Sequence, residues 1–549
     1  METEAQFGSI QSAFLAYSQI HIVYKLGHLI LLVWLIRKAI SKPNQDKLFP
    51  VWATIEIAVA GYVFGGGNNG SLGQRLYSTI RRYRGSLYGV SPAHQVLTNV
   101  SNVERFMAQG SHTLNTEPIQ YTLFTRVFGG EPGPDLKRKL ELTWKDLLAP
   151  LERMFLNEAT TSAALENAGI SQKATSFVTF SQDSKHMKRW ELSADIQIIT
   201  PDSPGKPGIV EANFQSLVRD FGACIAIPLL YGKDFMNRYP QLLDDFWKFD
   251  NDMFPLLMIG IPPWAPMKKM REGRIARERL TCEIEALYRR IDQYQKGQPV
   301  DFDADISDVG SAALERSMAY DKENWSFRQR GGGDLAALWG QNANTQAVLF
   351  WFLAYIYSTP GLVDEVRKEI APYVILSDNS QQEITSMDLT ALCRQCQLMK
   401  SCLFETYRMV NEATSIRMVA RPITLTDGDH EHQLQPGMFV SAPHVITQRD
   451  PSIYPDPDRF IPDRFLVVDA ESGKSGAKYG KLKPWGSGAG MCKGRTFAEK
   501  EILSLGACII SLWDISPASG TWKLPSMMPG TGVRRPVEDI RVRITRRPN

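Results

Sequence analysis

The chain is dominated by long stretches in which apolar residues recur every three or four positions, the period of a helix that buries one face. This pattern predicts helices over 136–157, 270–295, 335–358, 389–409 and 496–512. Between 422 and 443, short β-branched runs separated by Asp427-Gly428 and Pro436-Gly437 predict a β-hairpin region instead. No segment has the composition of a domain linker, so the pattern predicts one large, mainly α domain with small β-sheets.

Residues 20–36 form an apolar run that is broken by Lys25 and falls just short of a ~30 Å hydrocarbon core. Basic residues follow the run, and the positive-inside rule then places the rest of the chain in the cytosol. We therefore predict an N-terminal membrane helix, single-pass or monotopic, with its flank over 1–42, and a single large domain over 43–549. A buried amphipathic helix is the alternative interpretation of the same run.

Composition narrows the function classes. The 549 residues are 43% hydrophobic and 22% charged, which is typical of a globular protein. Lys and Arg number 62 against 59 for Asp and Glu, and this balance excludes a nucleic-acid binder that depends on a global basic field. Seven cysteines are few for this length and predict reduced thiols in a cytosol-facing compartment, one of them functional.

The glycine-rich segment 484–495 carries one of these cysteines. It does not match a dinucleotide fingerprint, because Met491 stands where the third glycine would fall, and it is not a P-loop, because Lys493 is followed by Gly494. A third interpretation is a thiolate loop, in which backbone amides and the start of the next predicted helix stabilise the Cys492 anion. A structural cysteine in a buried turn is the alternative.

Two other motifs precede this loop. Glu405 and Arg408 lie three residues apart on a predicted helix, and Arg464 follows within the run Pro-Asp-Arg-Phe. The third motif is aromatic-x-x-Gly-x-x-x-Cys-x-Gly, formed by Trp485, Gly488, Cys492 and Gly494. In residue type, order and spacing the three motifs together resemble the cytochrome P450 family, and the resemblance extends over the whole chain.

The resemblance implies the cytochrome P450 fold and a haem b cofactor whose iron is bound by the Cys492 thiolate. It places Trp485, Gly488 and Gly494 around the haem, and Glu405, Arg408 and Arg464 in a structural network behind it. Arg417 resembles the residue that meets a haem propionate. Trp144 is a second propionate candidate, although Leu148 stands where the family has an Arg. The residues that would line the substrate pocket are Ala413, Thr414, Ser415 and Ile416.

The predicted helix over 335–358 departs from the common family pattern, in which an acid and an alcohol side chain manage the water that delivers protons. Here Ala343 takes the place of the acid and Asn344 that of the alcohol. The run Trp-x-x-Asn-Ala-Asn resembles the branch that contains sterol 7α-hydroxylases, sterol 12α-hydroxylases and prostacyclin synthase. Gly490, where most members have Arg or His, agrees with that branch. Asn344 is therefore the predicted catalytic residue, with Thr345 or a mere helix kink as alternatives.

The resemblance implies a monooxygenase whose electrons come from NADPH through a separate flavoprotein, NADPH-cytochrome P450 reductase, with cytochrome b5 as an optional second partner. It further implies attachment to the endoplasmic reticulum membrane with the catalytic domain facing the cytosol. The apolar segment 254–264 suggests a lipophilic substrate, such as a terpenoid or polyketide of specialised metabolism, although a buried loop explains it equally well. The alternatives are a reductase-independent isomerase or dehydratase of a peroxide, and a non-catalytic haem or lipid binder.

Three further patterns favour ordinary structure over a site. Cys393 and Cys396 have the spacing of a zinc ligand pair, with Cys402 nearby, but no second pair of ligands follows. His430 and His432 flank a glutamate in the predicted hairpin region, where a solvated turn is the simpler interpretation. The glycosylation sequons at 99–101 and 324–326 would remain unused in a cytosolic domain.

Overall fold

A computed structural model describes residues 49–64, 87–91, 93–98, 100–199, 208–378, 382–427, 430–468, 473 and 475–548. The predicted membrane helix over 1–42 lies outside these residues. Within the described part, no single helix is long and apolar enough to cross a membrane. Two consecutive helical segments reach the required length and apolarity only when they are taken together, and the chain bends by 112° between them: Phe327–Ser358 and Leu362–Ile370.

Helices make up most of the described chain, as the apolar period predicts. In chain order they are α1 (Val51–Phe64), α2 (Val100–Met107), α3 (Glu117–Arg126), α4 (Pro134–Leu156), α5 (Glu158–Asn167), α6 (Ile170–Thr175), α7 (Phe214–Arg238), α8 (Leu242–Lys248), α9 (Phe254–Met258), α10 (Lys268–Gln295), α11 (Ser311–Lys322), α12 (Phe327–Asn342), α13 (Thr345–Ser358), α14 (Leu362–Ile370), α15 (Leu389–Gln395), α16 (Gln397–Val410), α17 (Val445–Gln448) and α18 (Arg495–Leu512). A π-helical turn, Phe249–Met253, joins α8 to α9.

The strands are short. They are β1 (Leu87–Ser91), β2 (His94–Leu97), β3 (Leu114–Asn115), β4 (Gln197–Ile199), β5 (Ile209–Asn213), β6 (Val374–Leu376), β7 (Ile384–Met387), β8 (Thr414–Val419), β9 (Ile423–Asp427), β10 (His430–Leu434), β11 (Phe439–Pro443), β12 (Leu466–Val468), β13 (Ser475–Ala477), β14 (Trp513–Pro517), β15 (Met527–Met528), β16 (Arg535–Pro536) and β17 (Arg541–Arg546). One sheet has the order β1-β2-β11-β8-β3 and another the order β14-β17-β5-β4, and the remaining strands form two-stranded ribbons. The prediction of a mainly α fold with small sheets is confirmed.

Helices α13 and α18 pack against each other at the centre of the molecule, and nearly every side chain along both is buried. A helix that is apolar on all sides needs such a position, because no face of it is suited to water. Helices α7 and α16 cover α13 on other sides. The loop that carries Cys492 leads directly into α18, so the cysteine is attached to one of these two buried helices.

Two of the predicted helices are broken. The helix expected over 335–358 divides into α12 and α13 at Ala343 and Asn344. There the Asn342 side-chain amide donates to the carbonyl of Leu338 at 3.0 Å and competes with the backbone for that acceptor. The helix expected over 389–409 divides into α15 and α16, and the Glu369 carboxylate accepts the first free N–H groups of α16.

The predicted β-hairpin region is only partly one hairpin. Strands β9 and β10 pair antiparallel from Ile423 with Leu434 to Asp427 with His430. Strand β11 instead joins the five-stranded sheet, parallel to β2 and antiparallel to β8. The second strand of the hairpin is thus the polar segment between the two turns, because one face of it remains in solvent and needs no apolar residues.

Candidate functional site

Cys492 ends a tight loop that begins at Trp485. The backbone N–H of Cys492 donates to the carbonyl of Trp485 at 2.9 Å, and that of Met491 donates to the carbonyl of Gly488 at 3.0 Å. Helix α18 begins three residues later, at Arg495. The first hydrogen bond closes the loop and holds the cysteine just before a helix N-terminus, where the helix dipole favours a thiolate.

Cys492 as a residue is exposed to solvent, although protein atoms crowd around its thiol group. This burial raises the pKa of the Cys492 thiol, while the N–H of Gly494 and the positive charges of Arg495 and Lys493 oppose the rise. The cysteine is therefore reachable and lies beside groups that stabilise its anion. These are the two properties that a thiolate ligand needs.

The other cysteines have different surroundings. All seven are free, and five are buried. Burial raises the pKa of the Cys393 and Cys396 thiols to about 12, and that of Cys402 well above its ordinary value, so these thiols remain protonated. Over the described ranges, no group of three or more His, Cys, Asp or Glu side chains could hold a metal ion. His430 and His432 lie on the polar strand β10.

Arg417 reaches the cysteine loop from β8. Its guanidinium donates to the carbonyl of Ser487 at 2.8 Å and to that of Ile416 at 2.7 Å. A Cβ at Gly490 would come within 2.8 Å of Nη2 of Arg417. The guanidinium therefore occupies the space that a side chain at position 490 would need. This contact gives a physical reason for a glycine at position 490.

Gly488 and Gly494 of the loop differ in how much space the protein leaves for a side chain. Gly488 has a φ of +69°, and a Cβ there would lie 1.9 Å from the carbonyl oxygen of Met107. Glycine is thus the only residue that fits position 488. A Cβ at Gly494 would lie 3.8 Å from Sγ of Cys492, an ordinary contact distance. The missing side chain at Gly494 leaves the space beside the sulfur open.

Trp485, the first residue of the loop, packs against α16. Its ring meets that of Tyr407 edge-on at 5.0 Å, and its indole N–H donates to the Tyr479 hydroxyl at 3.2 Å. The Tyr479 hydroxyl in turn donates to Glu499 on α18 at 2.7 Å. Trp485 is therefore fixed by partners on both sides of the loop.

Glu405, Arg408 and Arg464 meet in one buried ion-pair network. Both oxygens of Glu405 accept from Arg408, at 2.7 and 2.8 Å, and the Nε of Arg464 lies 3.0 Å from Oε1 of Glu405. The remaining Arg408 donors reach the carbonyls of Gln448 and Pro457. The network ties α16 to the irregular chain that precedes the cysteine loop. In the part of the chain that the structure describes, no hydrogen bond or ion pair joins these three side chains to the cysteine itself, which suits a structural role.

Asn344 lies at the break between α12 and α13, and its side-chain Oδ1 is buried without a hydrogen-bond partner. The amide faces a turn near the C-terminus, because a Cβ at Gly532 would come within 2.9 Å of Oδ1. The carbonyl of Gly532 accepts the backbone N–H of Glu412 at 2.8 Å, and the Asn411 side chain donates to Pro484 at 3.3 Å. Residues 411 and 412 thus connect the surroundings of Asn344 to the cysteine loop. Thr345 is buried in the first turn of α13.

The predicted pocket residues Ala413, Thr414, Ser415 and Ile416 do not share one environment. Side chains alternate across a strand, and on β8 Ser415 is buried whereas Thr414 and Ile416 are half-buried. The Ser415 hydroxyl accepts the N–H of Ser487 in the cysteine loop at 2.8 Å. Ile416 packs on the opposite face with Phe49. Because side chains alternate along β8, Ser415 and Arg417 share the face of the strand that contacts the cysteine loop.

Trp144 is half-buried on α4 against the main core. The same helix reaches the cysteine loop about two turns later, where Glu152 pairs with Lys493 at 3.0 Å. A further candidate, Arg126, lies at the end of α3. Its Nη1 is buried without a partner. No motif or spacing marks this residue, because only the packing of α3 makes its charge exceptional.

These residues fit a haem held by a thiolate. Cys492 supplies one anionic sulfur donor, and Gly494 leaves room beside it for a flat macrocycle. Among the described residues, neither Arg417 nor Arg126 has a carboxylate partner, and burial lowers the pKa of both. Haem propionates are the anions that would complement such charges.

Comparison with known proteins agrees with this site. Residues 336–542 match the family model described as Cytochrome P450. "Cytochrome P450 monooxygenase poxD" of Penicillium oxalicum is 28% identical over 61% of this chain and 64% of its own length. "Cytochrome P450 7A1" of Sus scrofa is 26% identical over 57% of this chain and 62% of its own.

The human "7-alpha-hydroxycholest-4-en-3-one 12-alpha-hydroxylase" is 28% identical over 38% of this chain and 43% of its own length. It belongs by name to the branch that the sequence predicts. The chain spans between 59% and 64% of the length of the first three curated relatives. The matched region contains the cysteine loop, the Glu405 network and Asn344, and over these residues the chain is similar to the cytochrome P450 family.

Proposed function

We propose that the protein is a haem-thiolate monooxygenase that inserts one oxygen atom of O2 into a lipophilic small molecule. The second oxygen atom leaves as water, and NADPH supplies the two electrons. The observation that carries the proposal is the presentation of Cys492, an accessible thiol with cationic neighbours at the N-terminus of the buried helix α18.

The haem, when bound, supplies the iron centre for O2 reduction, and the electron-rich thiolate favours O–O cleavage. On the thiolate side of the haem, the role of the protein is to hold the Cys492 sulfur in place. The bond from Cys492 N–H to the Trp485 carbonyl closes the loop, and Arg417 holds it at the Ser487 carbonyl. Arg417 and Arg126 would bind the propionates, and Trp144 is a further candidate on α4.

Asn344 is the proposed proton-handling residue. Its buried, unpartnered Oδ1 can accept a hydrogen bond from a water or a substrate hydroxyl, and its amide N–H2 can donate one. A buried carbonyl that lacks a donor is costly, so a proton donor bound there would be held firmly. Thr345, in the adjacent turn, offers the alternative hydroxyl.

A lipophilic substrate agrees with the segment around α9. Trp264 is 76% exposed, and Ile259 and Met267 are also exposed beside it. The aromatic rings of Phe254 and Trp339 stack at 4.7 Å and connect this segment to α12, close to Asn344. The names of the fungal relatives support a monooxygenase. A terpenoid or polyketide of specialised metabolism is the proposed substrate class.

The electron donors would be NADPH-cytochrome P450 reductase and, optionally, cytochrome b5. We also propose attachment to the endoplasmic reticulum membrane through residues 1–42, with the catalytic domain in the cytosol. Deletion of residues 1–42 should weaken sedimentation with microsomes while leaving haem incorporation intact. Loss of haem from the truncated protein would instead make this segment part of the core.

The decisive experiment combines ligation with turnover. The reduced carbon-monoxide complex should absorb near ~450 nm, and Cys492→Ser should abolish this band, whereas Cys282→Ser, at the other exposed thiol, should retain it. Product should form only when NADPH and the reductase are present. A band that survives in Cys492→Ser would overturn the ligand assignment, and turnover of a peroxide without reductase would identify an isomerase.

A further inference from the structure

A serine and a histidine on neighbouring elements contact the cysteine loop from behind. The hydroxyl oxygen of Ser415, on β8, lies 2.8 Å from the backbone N of Ser487 and 3.0 Å from Nε2 of His444. All three residues are buried. We propose that Ser415 and His444 are positioning residues that hold the cysteine loop in register for iron ligation, an inference that rests on the proposed role of Cys492.

The direction of the hydrogen bonds follows from the donors present. The backbone N–H of Ser487 can only donate, so the Ser415 oxygen accepts from it. The Ser415 oxygen has a second lone pair, so Nε2 of His444 accepts the Ser415 proton when the ring is protonated at Nδ1 and donates to that oxygen when it is protonated at Nε2. Burial, with the nearby charges of Lys483 and Arg417, lowers the pKa of His444 to about 4 and keeps the ring neutral.

Ser487 is thereby held at both of its backbone polar groups. Ser415 accepts its N–H, and Arg417 donates to its carbonyl at 2.8 Å. The residue lies between Gly486 and Gly488, whose φ values of +78° and +69° turn the chain sharply on either side. Fixing Ser487 therefore fixes the course of the closed loop that ends at Cys492.

The same sheet contains a matched pair that does not contact the loop. His94, on β2, lies 2.7 Å from the Ser441 hydroxyl on β11, and its other ring nitrogen lies 2.6 Å from Glu56. Ser441 is paired with Ile416 of β8, so the two serines occupy adjacent strands. Ser441→Ala thus removes a buried serine–histidine hydrogen bond from the same sheet, as Ser415→Ala does. It leaves the hydrogen bond between Ser415 and the Ser487 N–H intact.

The test compares Ser415→Ala, Ser415→Thr and Ser441→Ala as haem-loaded full-length proteins. The half-life of the carbon-monoxide band near ~450 nm is measured in a urea concentration below the unfolding transition, with circular dichroism as the measure of folding. Loss of one buried hydrogen bond of about 1 kcal/mol corresponds to about fivefold faster loss of the band in Ser415→Ala. Ser415→Thr retains a hydroxyl and should restore most of the half-life, and Ser441→Ala should match the unaltered protein.

Equal half-lives for Ser415→Ala and Ser441→Ala would overturn the proposal, because a purely structural role affects both alike. If Ser415→Ala does not fold, His444→Leu removes the hydrogen-bond partner of Ser415 and His444→Gln restores a polar one, and the same comparison applies. The Cys492→Ser protein separates the two hypotheses. If its band persists, the ligand assignment fails, whereas failure of the positioning proposal leaves the Cys492-dependent band intact.

Discussion

Glu405 and Arg464 are 59 residues apart in the chain, yet the Nε of Arg464 lies 3.0 Å from Oε1 and 3.1 Å from Oε2 of the carboxylate. Arg408 contacts the same carboxylate from its own helix, and Glu405 and Arg408 are fully buried. One buried carboxylate thus pairs with two guanidinium groups. The arrangement connects α16 to the segment that leads into the cysteine loop.

This network predicts a large loss of stability on its disruption. Glu405→Gln leaves two guanidinium groups without their anion, and we expect the free energy of unfolding to fall by about 3 to 5 kcal/mol. Denaturant unfolding measures the change. Glu278→Gln, which removes an exposed ion pair with Arg328, serves as the matched control and should change the free energy by less than about 1 kcal/mol. Equal losses in the two variants would contradict the structural role.

The two loop glycines should separate folding from haem binding. Gly488→Ala places a Cβ against Met107 at a positive φ, and we expect it to destabilise the fold by about 3 kcal/mol. Gly494→Ala meets only ordinary contacts within the protein, so its unfolding should be nearly unchanged while haem incorporation falls. Unfolding curves and the haem-to-protein absorbance ratio report the two effects. Normal haem content in Gly494→Ala would argue against a macrocycle on that side of the sulfur.

Glu501 should make stability depend on alkaline pH. Its Oε1 accepts from Gln346 at 3.0 Å, Oε2 has no partner, and burial raises the pKa of Glu501 from 4.5 to about 8. Between these values the folded chain holds a proton that the unfolded chain has released, so stability falls as pH rises from about 4.5 through about 8.

Glu501→Gln has no carboxyl group that titrates. The free energy of unfolding of this variant, minus that of the unaltered protein, should therefore increase by on the order of 4 kcal/mol from pH 5 to pH 9. Urea unfolding across that range measures the difference. The exposed Glu365→Gln serves as control and should show no such trend. A pH-independent difference for Glu501→Gln would mean that the carboxyl is already ionised in the folded protein.

Asn344 makes a prediction about coupling that rests on the proposed monooxygenase activity. In Asn344→Ala, NADPH consumption should continue while product falls by ~10²-fold and peroxide rises, because a positioned proton donor has been lost. Asn344→Thr should restore part of the coupling through its hydroxyl. Asn167→Ala, at an exposed asparagine that ends α5, serves as the control and should leave coupling unchanged. Normal coupling in Asn344→Ala would transfer the role to Thr345.

The cysteine loop and the Glu405–Arg408 pair could be recognised in the chain alone, for a physical reason. The proposed ligation by Cys492 and the observed pairing of Glu405 with Arg408 depend on residue chemistry at short, fixed spacings, and such spacings are visible in a linear sequence. The helices over 136–157, 270–295 and 496–512 were equally predictable, because a buried face imposes its period on the sequence.

Long-range contacts were not predictable. The sequence places Ala413, Thr414, Ser415 and Ile416 together as one stretch, but strand alternation directs Ser415 to the cysteine loop and Ile416 to the Phe49 cluster. The break between α12 and α13 at Ala343 and Asn344 likewise interrupts an apolar period that continues through it, so the sequence alone predicts one helix there.

The sequence by itself therefore determined the thiol, its glycine loop and the carboxylate behind it. Only the tertiary structure decided that His444 and Ser415 hold Ser487, that Arg126 is left without an anion, and that Gly532 faces Asn344. These relationships join residues from distant parts of the chain. Their partners are selected by how helices and strands pack, and packing leaves no spacing in the sequence from which they could be inferred.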